Sequence, residues 1–398
     1  MLCYQLMGLI FEVEDESWRK NINLSSSTNL PCSKFSMIHQ DLVRSILLGL
    51  NVTSVGKSRC VSRPWRAILS DPDFIHAHFK HHIHDQEQLI LLSRCHFLFT
   101  LTFGTGNPGS DGVLRKINLP DMKWVSVIGT CNGLALVMND CEIKYLINPM
   151  TCEYMAINVP TWAIDSRICV CMHGLGYDKV TDDYKIVSLS YYDADFQHEY
   201  DNGDTFVDVY STKMGCWRRL DSSPYDHSLP DNDSGVFVNG ALHWLAGTVD
   251  ECLSVIAAFN LTTEKFDELP LPEGPDRMDF VCSKLVVFGG CLCVLDDCHR
   301  DRLEVWMMKE YGVKESWTKF IIDSTEYFDA KPFCQLGNEE TIVVVDGETL
   351  LVKNLKERTS RNLVFDGTPV GFQDGLSFRE TLFSPNFNSS NEENQQNS

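Results

Sequence analysis

The sequence predicts an α+β multidomain protein in which a small helical bundle is followed by an all-β, propeller-like domain of about six blades. In residues 37–84 the apolar side chains follow helical spacing. From residue 89 onwards they occur in short runs separated by Gly, Asn, Asp and Pro, as in a series of strands and turns. These runs recur at a period of about 50 residues, which is typical of kelch-type propeller blades.

The helical region, residues 37–84, is expected to form three or four short helices. Thr53 or Ser54 is expected to cap the second helix, Pro64 to begin the third, and Asp71 with Pro72 to begin the last. Because fewer than about fifty residues bury only a thin core, the outward apolar side chains need a partner to cover them. The apolar stripe of the first helix consists of Leu42, Val43, Ile46, Leu47 and Leu50.

The repeat lies in residues 89–383. One phrase contains a dipeptide that accepts positive φ, at residues 132–133, 239–240 and 289–290, and therefore predicts a hairpin turn. A second phrase joins a strand, a polar turn and an aromatic residue, and its equivalent positions are spaced by 63, 49, 47 and 47 residues. The equivalent positions are Asn148, Ser211, Asn260, Met307 and Asn354.

Composition argues against several classes of function. The formal net charge of −21 argues against a nucleic-acid-binding protein, which needs cationic contacts to phosphate groups. No apolar run reaches the length of a membrane helix. The 16 cysteines include no Cys-x-x-Cys pair, and the opening of the sequence does not resemble a signal peptide. We therefore expect reduced thiols, no structural zinc, and a location in the cytoplasm, the nucleus or both.

Both ends of the sequence are expected to be disordered. Residues 1–36 combine acidic residues with a run of Ser and Thr, and residues 384–398 consist almost wholly of Asn, Ser, Glu and Gln. The folded part is therefore predicted to consist of residues 37–84 and 89–383.

A histidine cluster on the last helix permits two interpretations. Residues 76–84 contain five histidines, of which His78 and His82 lie on one helix face at a spacing that metals can use. A solvated helix end leading into a linker is the interpretation we prefer, because only Asp85 stands near that face as a further ligand.

Three further groupings also have a structural explanation. Cys169, Cys171 and His173 could be a ligand trio, but their spacing also suits core filling on one strand face. Residues 182–183 could be a carboxylate pair for acid–base chemistry, but a hairpin turn favours Asp there. Four tryptophans could be an aromatic set that binds a sugar or a peptide, but their corresponding places in the repeats favour packing between blades. These are Trp217, Trp244, Trp306 and Trp317.

A binding loop is predicted where the repeat is interrupted. Residues 191–204 contain five acidic and four aromatic residues, and insertions in propellers project from one face as binding loops. A solvated loop of variable sequence is the alternative. Residues 224–234 and 298–303 are similar in kind. The candidate contact residues are Tyr191, Tyr192, Asp193, Asp195, Phe196, Glu199 and Tyr200.

Individual phrases resemble a known family. Residues 40–43, 45–48, 59–62 and 65–72 resemble an F-box. Residues 174–178, 181–185, 239–244 and 266–270 resemble the plant F-box-associated domain, of the F-box/kelch-repeat and S-locus F-box type. The resemblance extends over residues 38–385, and the order of so many phrases is more specific than any one of them.

The resemblance implies that the helical domain binds a Skp-type adaptor, and through it a cullin and a RING protein. It implies that the propeller binds the protein to be ubiquitinated. Together with the interrupted repeat, this makes the candidate contact residues above the expected target contacts. It implies no catalytic residue, no cofactor and no metal. The adaptor contacts that it implies are Ile38, Asp41, Leu42, Val43, Ile46, Leu47, Leu50, Val52, Val55, Cys60 and Trp65.

The F-box-like region departs from the family pattern at Asn51, where proline is customary, and at Gly56 and Ser58. A glycine inside a helix costs ~1 kcal/mol relative to alanine, and a serine in an interface loses apolar burial, so weakened adaptor binding is expected. A non-ligase scaffold with a degenerate F-box is therefore the alternative function. A propeller enzyme is disfavoured, because the sequence has no nucleophile elbow, zinc signature or phosphate loop.

Overall fold

The computed structural model describes residues 40–83, 85, 88–93, 95–103, 112–120, 123–165, 167–192, 205–228, 234–248, 254–272, 283–296, 302–323, 331–336, 340–345, 349–354, 356–357, 359–363 and 371–386. The chain divides into two compact units between His81 and His82. Within these ranges, no helix has both the length and the apolar character needed to cross a membrane.

The first unit contains four short helices among its described residues. They are α1 (Gln40–Leu48), α2 (Val52–Ser58), α3 (Arg63–Leu69) and α4 (Pro72–His81).

Each of the last three helices begins at a side-chain cap. The Ser62 hydroxyl accepts from the Trp65 amide at 3.3 Å, and the Asp71 carboxylate accepts from the Asp73 amide at 2.8 Å, so the predicted starts of α3 and α4 are confirmed. The predicted cap of α2 was wrong. Asn51 caps this helix, accepting from the Ser54 amide at 2.9 Å, because its amide oxygen already reaches the first turn.

The helical unit buries a small apolar core and one histidine. The core includes Leu47, Val52, Val55, Leu69 and Phe74. His78 on α4 is 1% exposed, and its Nε2 donates to the Leu50 carbonyl just after α1 at 2.7 Å. The prediction of a solvated helix end was therefore wrong for His78, which joins two helices.

The second unit is built from antiparallel strands. In its first half these are β1 (Gln88–Ser93), β2 (Leu98–Thr102), β3 (Val113–Lys116), β4 (Trp124–Cys131), β5 (Leu134–Asn139), β6 (Lys144–Ile147), β7 (Tyr154–Ile157), β8 (Cys169–Asp178), β9 (Asp183–Tyr192), β10 (Phe206–Ser211), β11 (Cys216–Arg219) and β12 (Tyr225–Asp226). In its second half they are β13 (Ser234–Val238), β14 (Ala241–Thr248), β15 (Ser254–Asn260), β16 (Lys265–Leu269), β17 (Ser283–Phe288), β18 (Cys291–Asp296), β19 (Arg302–Met308), β20 (Trp317–Asp323), β21 (Lys331–Leu336), β22 (Glu340–Val345), β23 (Thr349–Asn354), β24 (Thr359–Leu363) and β25 (Phe372–Phe378).

The described strands form six four-stranded sheet modules. Module 1 has the order β25-β1-β2-β3, and module 2 has the order β4-β5-β6-β7. Modules 3 (β8 to β11) and 4 (β13 to β16) are joined by a parallel pairing of β8 with β13, and β12 is added to β14. Modules 5 and 6 consist of β17 to β20 and β21 to β24.

The repeat read from the sequence matches these modules. Asn132 and Gly133 have φ values of 48° and 83° and join β4 to β5, as predicted for a hairpin turn. All five equivalent positions lie within one residue of the end of the third strand of a module. At three of them, an asparagine oxygen accepts two backbone N–H groups of the next turn. These are Asn148, Asn260 and Asn354.

The first strands of the modules contact one another in a closed cycle, β25, β4, β8, β13, β17, β21 and β25 again. Beside β25, the Val127 amide donates to the Asp374 carboxylate at 3.2 Å, and the Thr130 hydroxyl donates to the Ser377 carbonyl at 2.7 Å. The last described strand thereby completes the module that β1 begins, and the domain is propeller-like.

All four tryptophans pack in apolar clusters shared by neighbouring modules, as predicted. Trp217 and Trp317 lie on fourth strands, and their indole N–H groups donate to the carbonyls of Asn158 and Pro270, just after the fourth strand of the preceding module. Trp244 and Trp306 lie on a second and a third strand. The prediction that all four occupy corresponding places was therefore wrong.

The domain has two ends, which differ in the connections they carry. We call the end with the turns between first and second strands the turn end, and the opposite end, with the connections between second and third strands, the loop end. Gln88 pairs with Phe378 at the turn end, where the polypeptide enters the domain. The segment after β25 crosses this end, where the Asn148 side chain donates to the carbonyls of Thr381 and Phe383.

The segment after β25 continues beyond residue 383, the predicted limit of the domain. The described residues continue through 384–386, and Pro385 is buried. The rest of the predicted tail, and the predicted disordered residues 1–36, lie outside the described residues.

A buried ion cluster joins modules 3 and 4. The Lys185 ammonium lies 3.0 Å from Asp178 Oδ2 and 3.0 Å from Glu264 Oε1, and donates to the Leu261 carbonyl at 2.6 Å. Burial raises the pKa of Asp178, but hydrogen bonds from Thr262, Thr181 and Lys185 outweigh it and hold that pKa well below its usual range. Beside this cluster the predicted turn is confirmed for Asp182, which has a φ of 53°, whereas Asp183 is the first residue of β9.

Two buried histidines serve the packing of module 4. His243 Nδ1 donates to the Val236 carbonyl at 3.0 Å, so its Nε2 accepts from the Tyr311 hydroxyl of the next module at 2.7 Å. His227 Nε2 lies 2.8 Å from the Ser223 hydroxyl. Burial lowers the pKa of each ring to about 4.

We predict that Lys185→Met lowers the free energy of unfolding by about 3–5 kcal/mol, because it leaves the Asp178 carboxylate buried without its counter-ion. Urea unfolding followed by tryptophan fluorescence measures this. Lys213→Met is the control, because Lys213 pairs with Asp182 at the surface and its loss should cost under about 1 kcal/mol. Equal effects of the two substitutions would contradict the structural role of the cluster.

We also predict that acidification destabilises the domain through the two buried histidines. Their folded pKa values of about 4 lie below the unfolded value of 6.5, so their stabilisation is complete above about pH 6.5 and is lost as the pH falls towards 4. Each ring contributes about 3 kcal/mol at 1.36 kcal/mol per unit of pKa. Urea unfolding at about pH 7.5 and about pH 5 tests this, and His243→Gln should show a smaller difference between the two. If the loss of stability between the two pH values is the same in the His243→Gln variant, His243 does not contribute to the acid sensitivity.

Candidate functional site

The predicted adaptor-contacting residues fall into three groups in the structure. Leu47, Val52 and Val55 are buried and belong to the core of the helical unit. Cys60 is exposed, and four residues are half-buried: Val43, Ile46, Leu50 and Trp65. For Asp41 and Leu42 only the backbone in α1 is described, and Ile38 lies outside the described residues. The half-buried and exposed residues are therefore the ones that can touch a partner without unfolding the helices.

The two unusual residues of α2 have different environments. Gly56 is exposed, and a methyl group added there would meet no atom within 4 Å. Ser58 is 3% exposed, and its hydroxyl donates to the Ser54 carbonyl at 2.8 Å. The expectation that Ser58 forms part of a docking surface was wrong, because its side chain faces into the helical unit.

The predicted binding loop, residues 191–204, begins at the loop end of module 3. Tyr191 and Tyr192 end β9, and the other five candidate contact residues, Asp193, Asp195, Phe196, Glu199 and Tyr200, lie outside the described residues. The two tyrosines are on opposite faces of the strand. Tyr191 packs on the apolar cluster shared with module 4, whereas the Tyr192 ring meets the edge of Phe206 at 6.3 Å between centroids.

The other two predicted loops are described only in part. Tyr225 and Asp226 pair with β14 as β12, so the expectation of a loop at residues 224–234 was wrong for these two residues. Of residues 298–303, Arg302 and Leu303 belong to β19, and the rest lie outside the described residues.

A buried carboxylate organises the surface beside Tyr192. Asp208 on β10 is 3% exposed, and it accepts from the Trp162 indole and from Arg219 Nε and Nη2, each at 2.9 Å. The Arg219 guanidinium also lies 4.7 Å from the centroid of the Phe206 ring. The 42% exposed Trp162 is thereby held in one orientation at the loop end.

Sequence reasoning missed Asp208, Trp162 and Arg219. A signal was present, because Asp208 stands between Val207 and Val209 in a strand that is otherwise apolar. A charged residue in such a run needs partners when the strand is buried.

The face of module 3 that bears Asp208 is polar near the loop end. Two rows of directly paired residues cross the strands on this face. The first row is His173, Ser188, Asp208 and Arg219, and the second, nearer the loop end, is Cys171, Ser190 and Phe206. His173, Ser188 and Ser190 are all under 9% exposed.

Lys144 on β6 of module 2 faces these rows. Burial lowers its pKa, and the neighbouring Cys171 and Glu142 act in the opposite direction. Burial, together with the charge of Lys144, holds the pKa of His173 well below its usual range, so the imidazole is neutral.

The two cysteines of this face are in contact. Cys169 Sγ and Cys171 Sγ are 3.5 Å apart, and burial first, then Cys171, raises the pKa of Cys169 to about 12. Core filling is confirmed for Cys169 and His173, which are buried, but was wrong for Cys171, which is exposed. Among the described residues no cluster of three His, Cys, Asp or Glu side chains could hold a metal ion. The groups present suit binding: aromatic faces, hydroxyls, a cation and a neutral imidazole.

Comparisons with known proteins agree with the resemblance seen in the sequence. Residues 110–368 match the family model of the F-box associated beta propeller domain. "F-box protein CPR1" of Arabidopsis thaliana is 29% identical over 307 residues, which cover 71% of this chain and 72% of that protein.

Two further Arabidopsis thaliana proteins match over similar lengths. "F-box/kelch-repeat protein At3g23880" is 28% identical over 71% of this chain and 78% of its own length. "F-box protein At3g07870" is 25% identical over 84% of this chain and 88% of its own length. Since the family model covers most of the β domain described above, this protein belongs to the family of proteins with an F-box associated beta propeller domain.

Proposed function

We propose that this protein is the substrate-recognition subunit of a Skp/cullin/F-box ubiquitin ligase. The observation that carries the proposal is the match of residues 110–368 to the F-box associated domain, preceded in the same polypeptide by a unit of four short helices. The helical unit, residues 37–84, would bind a Skp-type adaptor. The propeller, residues 89–383, would bind the protein to be ubiquitinated.

This division of labour needs no catalytic group in the protein. A subunit that holds a target beside a charged conjugating enzyme raises the effective concentration of the two reactants. The cullin and the RING protein would join through the adaptor, in the cytoplasm, the nucleus or both. The six sheet modules and their closed cycle of first strands support a six-bladed propeller as the target-binding part.

Adaptor contact is proposed for the helix surfaces that remain accessible. Val43, Ile46 and Leu50 are half-buried on or next to α1, and Cys60 and Trp65 lie around the start of α3. An apolar partner surface would complete their burial, as the thin core of the unit requires.

Target contact is proposed for the loop end beside Tyr192. The rigid aromatic group of Trp162, Tyr192 and Phe206 supplies the kind of anchor that dominates interface energetics. The acidic residues of 193–204 would favour a target with basic residues around an aromatic or apolar anchor, because charge complementarity steers encounter.

A non-ligase scaffold is the second candidate. Gly56 in the middle of α2 lowers the intrinsic stability of that helix by ~1 kcal/mol relative to alanine, and this loss favours a helical unit that no longer binds an adaptor.

We predict that Val43→Glu with Ile46→Glu abolishes co-purification of a Skp-type adaptor, because two charges would have to be buried in the interface. Ser45→Glu is the matched control, since Ser45 is exposed on the same helix and should retain binding. Circular dichroism should show unchanged helix content in both variants. If the unaltered protein binds no adaptor at micromolar concentration, the scaffold function replaces the ligase function.

We also predict that deletion of residues 193–204 removes target capture while adaptor binding and the thermal midpoint of the β domain persist. The deleted residues follow β9 and precede β10, outside the described strands. Capture by the intact protein should weaken as salt is raised from about 0.05 M to about 0.5 M, because screening shortens the reach of the acidic charges. Normal capture by the deletion variant would move the target site to another part of the surface.

A further inference from the structure

The contact between modules 2 and 3 changes character along its length. Towards the turn end it is apolar, with Leu146 of β6 in one cluster with Leu175 and Ile186 of module 3. Two residues nearer the loop end, β6 carries Lys144 and β8 carries His173. Side chains two residues apart share a strand face, so Lys144 and His173 extend the same interface.

The opposite face of module 3 shows no such change. It packs on module 4 with an apolar cluster that continues to Met172, Leu189 and Val207. Near the loop end, β8, β9 and β10 therefore place apolar residues on the face towards module 4 and polar residues on the face towards module 2. Strand pairing alone does not require this alternation, because both faces are buried.

The polar side contains groups whose bonding capacity is not used within the described residues. His173 is 7% exposed, and its Nδ1 has no hydrogen-bond partner among those residues. Lys144 is half-buried, and although the charge of the nearby Glu142 acts on it, no ion pair joins its ammonium to a carboxylate within the described part of the protein. A half-buried cation and a buried imidazole nitrogen are both costly unless something satisfies them.

We call these groups the module 2/3 cleft: Lys144, Cys171, His173, Ser188 and Ser190. Cys171 is exposed, so the cleft is open at that point. The Asp208 carboxylate next to it is already occupied by Trp162 and Arg219, and so does not serve Lys144 as a counter-ion.

The chemistry of the cleft favours an anion that accepts hydrogen bonds. Lys144 supplies a positive charge, and a neutral His173 can carry its proton on Nδ1 and donate it. A metal ion fits less well, because Lys144 would repel it and the high pKa of Cys169 keeps that thiol protonated. The cleft also lies at the end of the domain where the Trp162 and Tyr192 surface is found, so a bound protein segment can reach both.

We propose that the module 2/3 cleft binds a carboxylate of the target protein, either an Asp or Glu side chain or the carboxyl terminus of the target, with Lys144 as counter-ion and His173 as hydrogen-bond donor. This inference rests on the proposed function of the β domain as the target-binding part. It adds a carboxylate to the basic and aromatic groups expected of the target segment.

The test uses full-length protein and degenerate heptapeptide pools with blocked ends, identical except for a central Asp or a central Asn. A third pool carries central Asn and a free C-terminal carboxylate, which separates the two sources of the anion. We expect the Asp pool, the free-carboxylate pool or both to bind about tenfold better than the neutral pool. Lys144→Met should reduce that ratio to about one. Lys179→Met, which removes an exposed charge from the turn end of module 3, should leave it unchanged.

Modification of cysteine by a maleimide gives an independent readout that needs no variant. A carboxylate-bearing pool should slow the reaction of Cys171 and leave that of Cys216, exposed at the turn end, unchanged. Equal binding of charged and neutral pools would overturn the proposal, as would a preference that survives Lys144→Met. Protection of Cys171 by micromolar Zn²⁺ alone would assign the cleft to a metal instead.

The outcome separates this inference from the ligase function. The Lys144→Met variant should still co-purify with a Skp-type adaptor. If the peptide test fails while adaptor binding is normal, only the proposal of carboxylate binding in the cleft is refuted. Absence of adaptor binding by the unaltered protein removes the ligase function, whatever the peptides do.

Discussion

The structure depends on one constraint, which is that each four-stranded sheet can bury its two faces only against the sheets on either side. An open row of modules would leave two apolar faces in water, and that exposure costs about 25 cal/mol for every Å² of apolar surface. The cycle of first strands removes both open faces. β25 makes the closure possible, because it follows all the other strands in sequence and yet pairs with β1, the first of them. The β domain is therefore one cooperative unit although it is built from repeats.

The two ends of the closed domain have different roles. The turn end carries the tight turns and the segment after β25, whose Thr381 and Phe383 carbonyls accept from the Asn148 side chain. The Lys185 cluster belongs to the same end, next to the turn of β8 and β9. At the loop end, Trp162 is exposed, and the buried Nδ1 of His173 has no hydrogen-bond partner among the described residues. Recognition is therefore expected at the loop end, and stability at the turn end.

Sequence patterns predicted much of this architecture because repeats leave a local signature. Asn132-Gly133 requires positive φ, and the five equivalent positions mark the same strand in successive modules, so both could be found without a structure. The polar cleft could not be found from the sequence, because it depends on which of the two buried faces of module 3 contacts Lys144. Alternation along β9 and β10 shows that Ser188 and Asp208 share a face. It does not show that β6, some forty residues earlier, supplies the cation.

The helical unit shows why a departure from a family pattern is not by itself a loss of function. Asn51 stands where proline is customary, and its amide oxygen caps α2, so the start of the helix keeps a stabilising interaction of a different kind. The Ser58 hydroxyl is bonded to the Ser54 carbonyl, so its burial leaves no unsatisfied donor. Gly56 lies at the surface and weakens the helix through backbone entropy alone.

All three departures therefore act on the folding of α2, whereas the docking surface proposed above consists of Val43, Ile46, Leu50 and Trp65. These four side chains are half-buried, so part of their apolar surface stays in water while the unit is alone. A partner that covers this surface would supply the burial that the thin helical core lacks. Because such a partner binds the folded helices and not the unfolded ones, binding and folding of this unit are coupled.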